Sequence, residues 1–147
     1  FRMDEKSLSR YYGELGCALG EALLTPTIIY VKALDAVKNA GIKIKGCSHI
    51  TGGGFYENIP RMLPEGIAAK IDKASYTVPP IFSLMQSEGK IDEHMMYNTY
   101  NMGLGMVLAV EASDADACVR AIESAGEKAY IIGEAKAAAS DERVELC

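Results

Sequence analysis

The residues best suited to chemistry lie in one stretch, Gly46-Cys47-Ser48-His49-Ile50-Thr51-Gly52-Gly53-Gly54-Phe55-Tyr56-Glu57-Asn58-Ile59-Pro60-Arg61. A short apolar strand runs into three successive glycines and then into a short helical segment. Glycine takes positive φ without steric penalty and lets a ligand approach the main chain. The first turn of a following helix adds N–H groups with no partner inside it and a partial positive charge. Such a loop can seat an anion. The same glycines also serve a plain strand-to-helix turn, because the loop carries no Walker lysine.

His49 directly precedes the loop, and two roles are open to it: bonding a phosphate or substrate carbonyl, or tying the loop to the strand. Other chemistry has less to work with. No Gly-x-Ser-x-Gly elbow is present, and His49 and His94 are the only two histidines, so neither a nucleophile with its base nor a metal set is offered. Glu93 and His94 read as a solvated face. Cys17, Cys47, Cys118 and Cys147 are far apart with no C-x-x-C pair, which reads as reduced thiols. Asn101, beside Gly103 and Gly105, reads as a turn-former.

Positioning the loop requires a folded frame, and 147 residues with 49% hydrophobic and 24% charged residues suit one domain with a sizeable core. The formal net charge of −5 leaves no field to gather nucleic acid or an anionic membrane, so any anion must be held locally. No run is long enough to span a membrane. The first residue is Phe1, and with its charged opening the chain reads as a segment of a longer one.

Residues 5–24, interrupted by Gly13, Gly16 and Gly20, predict a short helix and a loop lying against a neighbour. Thr25-Pro26 predicts a helix start, with Ile28, Val31, Leu34 and Val37 on one face and Gly41 as its stop. Ile42, Ile44 and Ile50 bound a strand leading to the loop. Residues 66–72 predict a strand, Pro79-Pro80 opens a helix ending at Gly89, and Asp92 caps another reaching Tyr100. Met95, Met96 and Met102 read as core filler.

Met106 to Val110 predicts a strand covered on both faces. Ser113 then predicts the cap of a helix closed by Gly126, and Ala129 to Ile132 a returning strand parallel to the first. The tail from Glu134 reads as an outer edge or frayed end. The expected fold class is α+β or α/β: a layered mixed β-sheet of about four to six strands covered by helices, with a C-terminal β-α-β unit, in a single domain.

His49-Ile50-Thr51-Gly52-Gly53-Gly54, continued by Glu57-Asn58-Ile59-Pro60-Arg61, closely resembles the signature of the phosphoribosylformylglycinamidine cyclo-ligases, also called aminoimidazole ribonucleotide synthetases. Three further blocks agree in the same order: residues 19–27, Pro79-Pro80-Ile81-Phe82, and residues 96–106. Four ordered blocks are far more specific than any one of them.

The resemblance implies a two-domain, cytoplasmic enzyme of purine biosynthesis, homodimeric when complete, of which residues 1–147 form the C-terminal domain. ATP would activate the formyl-derived amide oxygen of formylglycinamidine ribonucleotide. An internal nitrogen would then close the imidazole ring, with ADP and phosphate leaving. ATP and Mg would be held mainly by the N-terminal domain, which would also carry most of the catalytic residues. This domain alone would be inactive. To it the resemblance assigns the substrate phosphate, held by main-chain N–H groups of Gly52, Gly53 and Gly54 with Thr51, Asn58 and His49 as added donors. Formylglycinamidine ribonucleotide synthetase, selenophosphate synthetase and thiamine-phosphate kinase share the architecture, but the run from Glu57 to Arg61 favours the cyclo-ligase. A non-catalytic ligand-binding module is the reading from a different class.

Overall fold

Asp4 begins the first helix by accepting from the Ser7 N–H at 2.7 Å, which satisfies one of the donors that a helix start leaves without a partner. The computed structural model describes residues 1–147. After α1 (Glu5–Leu8) a small hairpin of β1 (Tyr11–Tyr12) and β2 (Cys17–Ala18) leads into α2 (Leu19–Leu23). Next come α3 (Val31–Asn39), β3 (Gly46–His49), α4 (Gly54–Asn58) and a 3-10 turn over Ile59–Met62. β4 (Ile67–Ile71), α5 (Pro80–Gly89) and α6 (Glu93–Thr99) follow. The last elements are β5 (Met106–Ala109), α7 (Ala115–Ser124), β6 (Gly133–Ala137) and β7 (Val144–Leu146).

The strands form three small sheets. β1 pairs with β2 and β3 with β5, both antiparallel, while β4 lies between antiparallel β6 and parallel β7. The main core gathers Ile50, Phe55, Ile59, Ile71, Met96 and Val107 from both larger sheets and the helices between them. A second, smaller core joins Val37 of α3 and Cys118 of α7 to Ile42. The architecture is α+β, as expected. No helix is long and apolar enough to cross a membrane.

Several boundaries were legible. Pro80 stands at the start of α5, Asp92 caps α6 by accepting from the Met95 N–H at 3.0 Å, and β4 falls where the apolar run predicts it. Met96 and Met102 are core residues, whereas Met95 is 44% exposed.

Other expectations are corrected. Helix α3 starts at Val31, not Pro26, because Thr27-Ile28-Ile29 is a β-branched run that loses side-chain freedom in a helix. Thr25 instead turns back and donates to the Glu21 carbonyl at 3.5 Å, at the end of α2. Ser113 does not cap α7; a 3-10 turn over Ala112–Asp114 leads into it. Neither a single sheet of four or more strands nor the β-α-β unit forms. β5 pairs only with β3, and the chain after α7 pairs with β4, antiparallel, from Gly133 onward. A Cβ at Gly133 would lie 1.9 Å from the Lys70 carbonyl oxygen, so only glycine permits that approach. Of the two readings of the tail, the outer edge holds and the frayed end does not: β6 and β7 are the edges of their sheet, Val144 is 1% exposed, and the Arg143 guanidinium donates to the carbonyls of Ile67, Leu63 and Pro64 at 2.6 to 3.0 Å.

Candidate functional site

Strand β3 alternates in burial, turning Ser48 inward and Cys47 and His49 outward. At its end the chain enters the glycine loop through two left-handed residues, Gly53 at φ +92° and Gly54 at φ +52°. Gly54 is fixed by packing as well as by its dihedral. A Cβ there would lie 2.0 Å from the Tyr97 carbonyl oxygen, so α4 and α6 approach backbone to backbone only because this residue has no side chain. One residue later Phe55 is fully buried, its ring edge-on to Tyr97 at 5.2 Å between centroids.

Asn58 closes the loop from beneath. It is 3% exposed, and its Nδ2 donates to the carbonyls of Gly54 at 2.7 Å and of Thr51 and Gly52 at 3.2 Å. Its Oδ1 accepts from Arg61 Nη1 at 3.1 Å, and its own carbonyl accepts from the buried Ser48 hydroxyl at 2.8 Å. With three loop carbonyls drawn inward, the opposite side of the loop carries the N–H groups. Gly54 N–H is bonded to the Thr51 carbonyl at 3.0 Å, but those of Thr51, Gly52 and Gly53 meet no main-chain acceptor. Thr51 and Gly52 are exposed. Since α4 is only five residues long, its dipole adds little, and these N–H groups are the loop's open donors.

The charges around the loop are mixed. The Glu57 carboxylate folds back beside Gly53, where a Cβ would lie 2.7 Å from Oε2, and Arg61 Nη2 stands 3.7 Å from the same oxygen. His49 is exposed, and its ring lies edge-on to that of Tyr30 at 6.2 Å. On the far side of α4, Tyr56 stacks on His94 at 4.4 Å, and Glu93 pairs with Lys73 at 2.9 Å. Burial, foremost, holds the Tyr56 hydroxyl above its usual pKa.

The structure thus brings Thr51, Gly52, Gly54 and Asn58 together through one amide group, and leaves Gly53 beside Glu57 and His49 beside Tyr30. The Asn58 amide and the Gly54 N–H are both engaged within the fold. Asn101 is the turn-former expected, its Oδ1 accepting from the Gly103 N–H at 3.0 Å. Ser48, Glu57 and Arg61 were missed. Ser48 was detectable as the inward residue between two outward ones; the partners of Glu57 and Arg61 leave no such mark. No group of three or more His, Cys, Asp or Glu that could hold a metal ion gathers in the chain.

A family model described as AIR synthase related protein, C-terminal domain, matches residues 4–144. The chain belongs to this family. Among curated relatives, the phosphoribosylformylglycinamidine cyclo-ligase of Lachnospira eligens is 58% identical over 147 residues, which is 100% of this chain and 42% of the relative. That of Agathobacter rectalis is 61% identical over 133 residues, 90% of this chain and 39% of its own. The Bacillus cytotoxicus relative of the same name is 57% identical over 130 residues, 88% of this chain and 37% of its own. This family member therefore spans about two fifths of the length of the relatives it matches.

Proposed function

We propose that residues 1–147 are the C-terminal, substrate-side domain of a phosphoribosylformylglycinamidine cyclo-ligase, and that the glycine loop holds the 5′-phosphate of formylglycinamidine ribonucleotide. The observation that carries the assignment to this loop is the set of open N–H groups on Thr51, Gly52 and Gly53, on a loop whose carbonyls Asn58 draws to the other side. Outward N–H dipoles suit a phosphate dianion in a protein of negative net charge. The Thr51 hydroxyl stands on the exposed side as a further donor. His49 is oriented by Tyr30 at the strand end and bonds the substrate beyond the phosphate.

ATP, when bound by the companion domain with its magnesium, supplies the activation of the amide oxygen that lets an internal nitrogen close the ring. The residues of this chain bind and orient the ribonucleotide, which converts a search between reactants into a fixed geometry. The complete enzyme is cytoplasmic and homodimeric in this reading. Its active site is a cleft between the two domains, and residues 1–147 alone do not turn over.

Thermal unfolding of the 147-residue chain tests the assignment. Formylglycinamidine ribonucleotide should raise the midpoint in a saturable way, following the linkage of binding to stability, and the nucleoside without its phosphate should not. Equal stabilisation by both would overturn the phosphate seat. Ring closure by this chain with ATP but no other protein would overturn the division of labour.

A further inference from the structure

β5 is bonded along one edge only. The bond from Ile50 N–H to the Gly105 carbonyl at 2.9 Å fixes the phase of the β3–β5 ladder. Met106 and Leu108 therefore direct their own N–H and C=O groups away from β3, toward an edge no strand occupies. Facing that edge across an apolar cavity of about 680 Å³ runs the segment Ala129–Ile132. It has no main-chain bond from Ala129 to Ile131, and Tyr130 and Ile131 are 39% and 50% exposed. Two unpaired edges separated by an apolar gap are costly to leave open and invite pairing.

We propose that this gap is the seat of an extended β-strand supplied by the additional length that the curated relatives carry, joining β5 to Ala129–Ile132 and making one sheet of two. A small apolar ligand would fill the walls yet leave both edges without partners. A strand does both: its main chain bonds to each side, and its apolar side chains take the walls. A second copy offering its own β5 would satisfy only one of the two edges. The Lachnospira eligens relative has more than half of its length outside the match, the chain being 42% of it, which is ample for a strand of about five residues. No residue of the glycine loop lines this cavity, so the proposal stands or falls apart from the phosphate seat.

Hydrogen exchange on the 147-residue chain decides it. Synthetic peptides of roughly twelve residues, long enough for a typical strand with flanks, tile the part of the Lachnospira eligens relative that this chain does not match. One of them should slow exchange at Met106, Leu108, Ala129 and Ile131 by about tenfold or more, with less change elsewhere. Ile131→Pro, which removes an amide that bonds nothing in the chain alone, should abolish that protection at an unchanged thermal midpoint. If the variant fails to fold, the comparison on the unsubstituted chain decides alone. Absence of protection by any peptide would overturn the proposal. So would protection of these amides in the peptide-free chain that grows with protein concentration, which would assign the gap to a second copy.

Discussion

The side-chain amide of Asn58 donates to the Gly54 carbonyl at 2.7 Å from inside the fold, four residues along the same short helix. The residue that shapes the loop is thus buried beneath it, and the outer side is left to main-chain N–H groups. Replacing Asn58 removes a donor shared among three carbonyls without providing another. Asn58→Asp should cost about 2–4 kcal/mol, since it sets an acceptor against acceptors and leaves buried polar groups unsatisfied. Urea unfolding measures this, and Asn58→Asp should lose more than Asn58→Ala.

Gly54 and Gly52 differ sharply in what surrounds them. A Cβ at Gly54 meets the Tyr97 carbonyl at 2.0 Å at a positive φ, whereas one at Gly52 meets nothing within 4 Å. Gly54→Ala should destabilise by about 3 kcal/mol or more, through overpacking and backbone strain together. Gly52→Ala should fall within about 0.5 kcal/mol of the parent, as uncrowded surface changes do. Thermal melts of the two variants side by side check the contrast.

If the loop seats a phosphate as proposed, the Glu57 carboxylate beside Gly53 stands close enough to repel it. Glu57→Gln keeps the shape and removes the charge, so affinity for the ribonucleotide phosphate should rise by roughly threefold to tenfold, a gain of up to about 1.4 kcal/mol. The gain should shrink as salt is added, because the carboxylate is exposed. Calorimetric titration at two ionic strengths tests both statements.

Tyr76 is buried with no partner for its hydroxyl, and burial, with Tyr97 beside it, holds its pKa far above the usual 10.0. The folded state therefore keeps a proton that the unfolded chain releases above about pH 10, so stability is full below that pH and falls as it is exceeded. Tyr76→Phe should flatten the alkaline loss and leave neutral-pH stability unchanged or slightly raised. Chemical denaturation between pH 8 and pH 11, spanning roughly the ordinary tyrosine range, supplies the readout.

At the acid end the sign reverses. Hydrogen bonds from Lys136 to Glu145 and from Lys45 to Glu111 hold both carboxyls below their usual range. Their stabilisation is present above the unfolded carboxylate pKa and is lost as pH falls through the folded values. Both carboxyls are exposed, so the effect is small and salt-sensitive. Lys136→Met should lessen the loss of thermal midpoint on acidification, and high salt should do the same.

Local signals were legible and pairings were not. Asp92 and Pro80 announce their helices because a capping carboxylate or a proline at a helix start acts on its own neighbours. The glycine loop was visible for the same reason, since three glycines in a row state a backbone need. The inward turn of Asn58 was hidden: an amide is equally able to face a ligand or a carbonyl, and only Ser48 and the loop carbonyls around it decide. Ala129–Ile132 has a strand's composition, yet the ladder begins at Gly133, because the choice of partner belongs to β4 and not to the segment itself. Thr25-Pro26 failed through competition, with the threonine hydroxyl serving the helix behind it.

The grip of Arg143 on Ile67 spans 76 positions of sequence, and β7 reaches β4 across the same long interval. Contacts this distant are slow to form, because the intervening loop must close before they stabilise anything. Until Val144 and Leu146 dock, β4 has only one neighbour, and the edge carrying Ala69 and Ile71 is open. Completion of this sheet is thus a late folding event, and the interval before it is when a chaperone, or aggregation, has its opportunity.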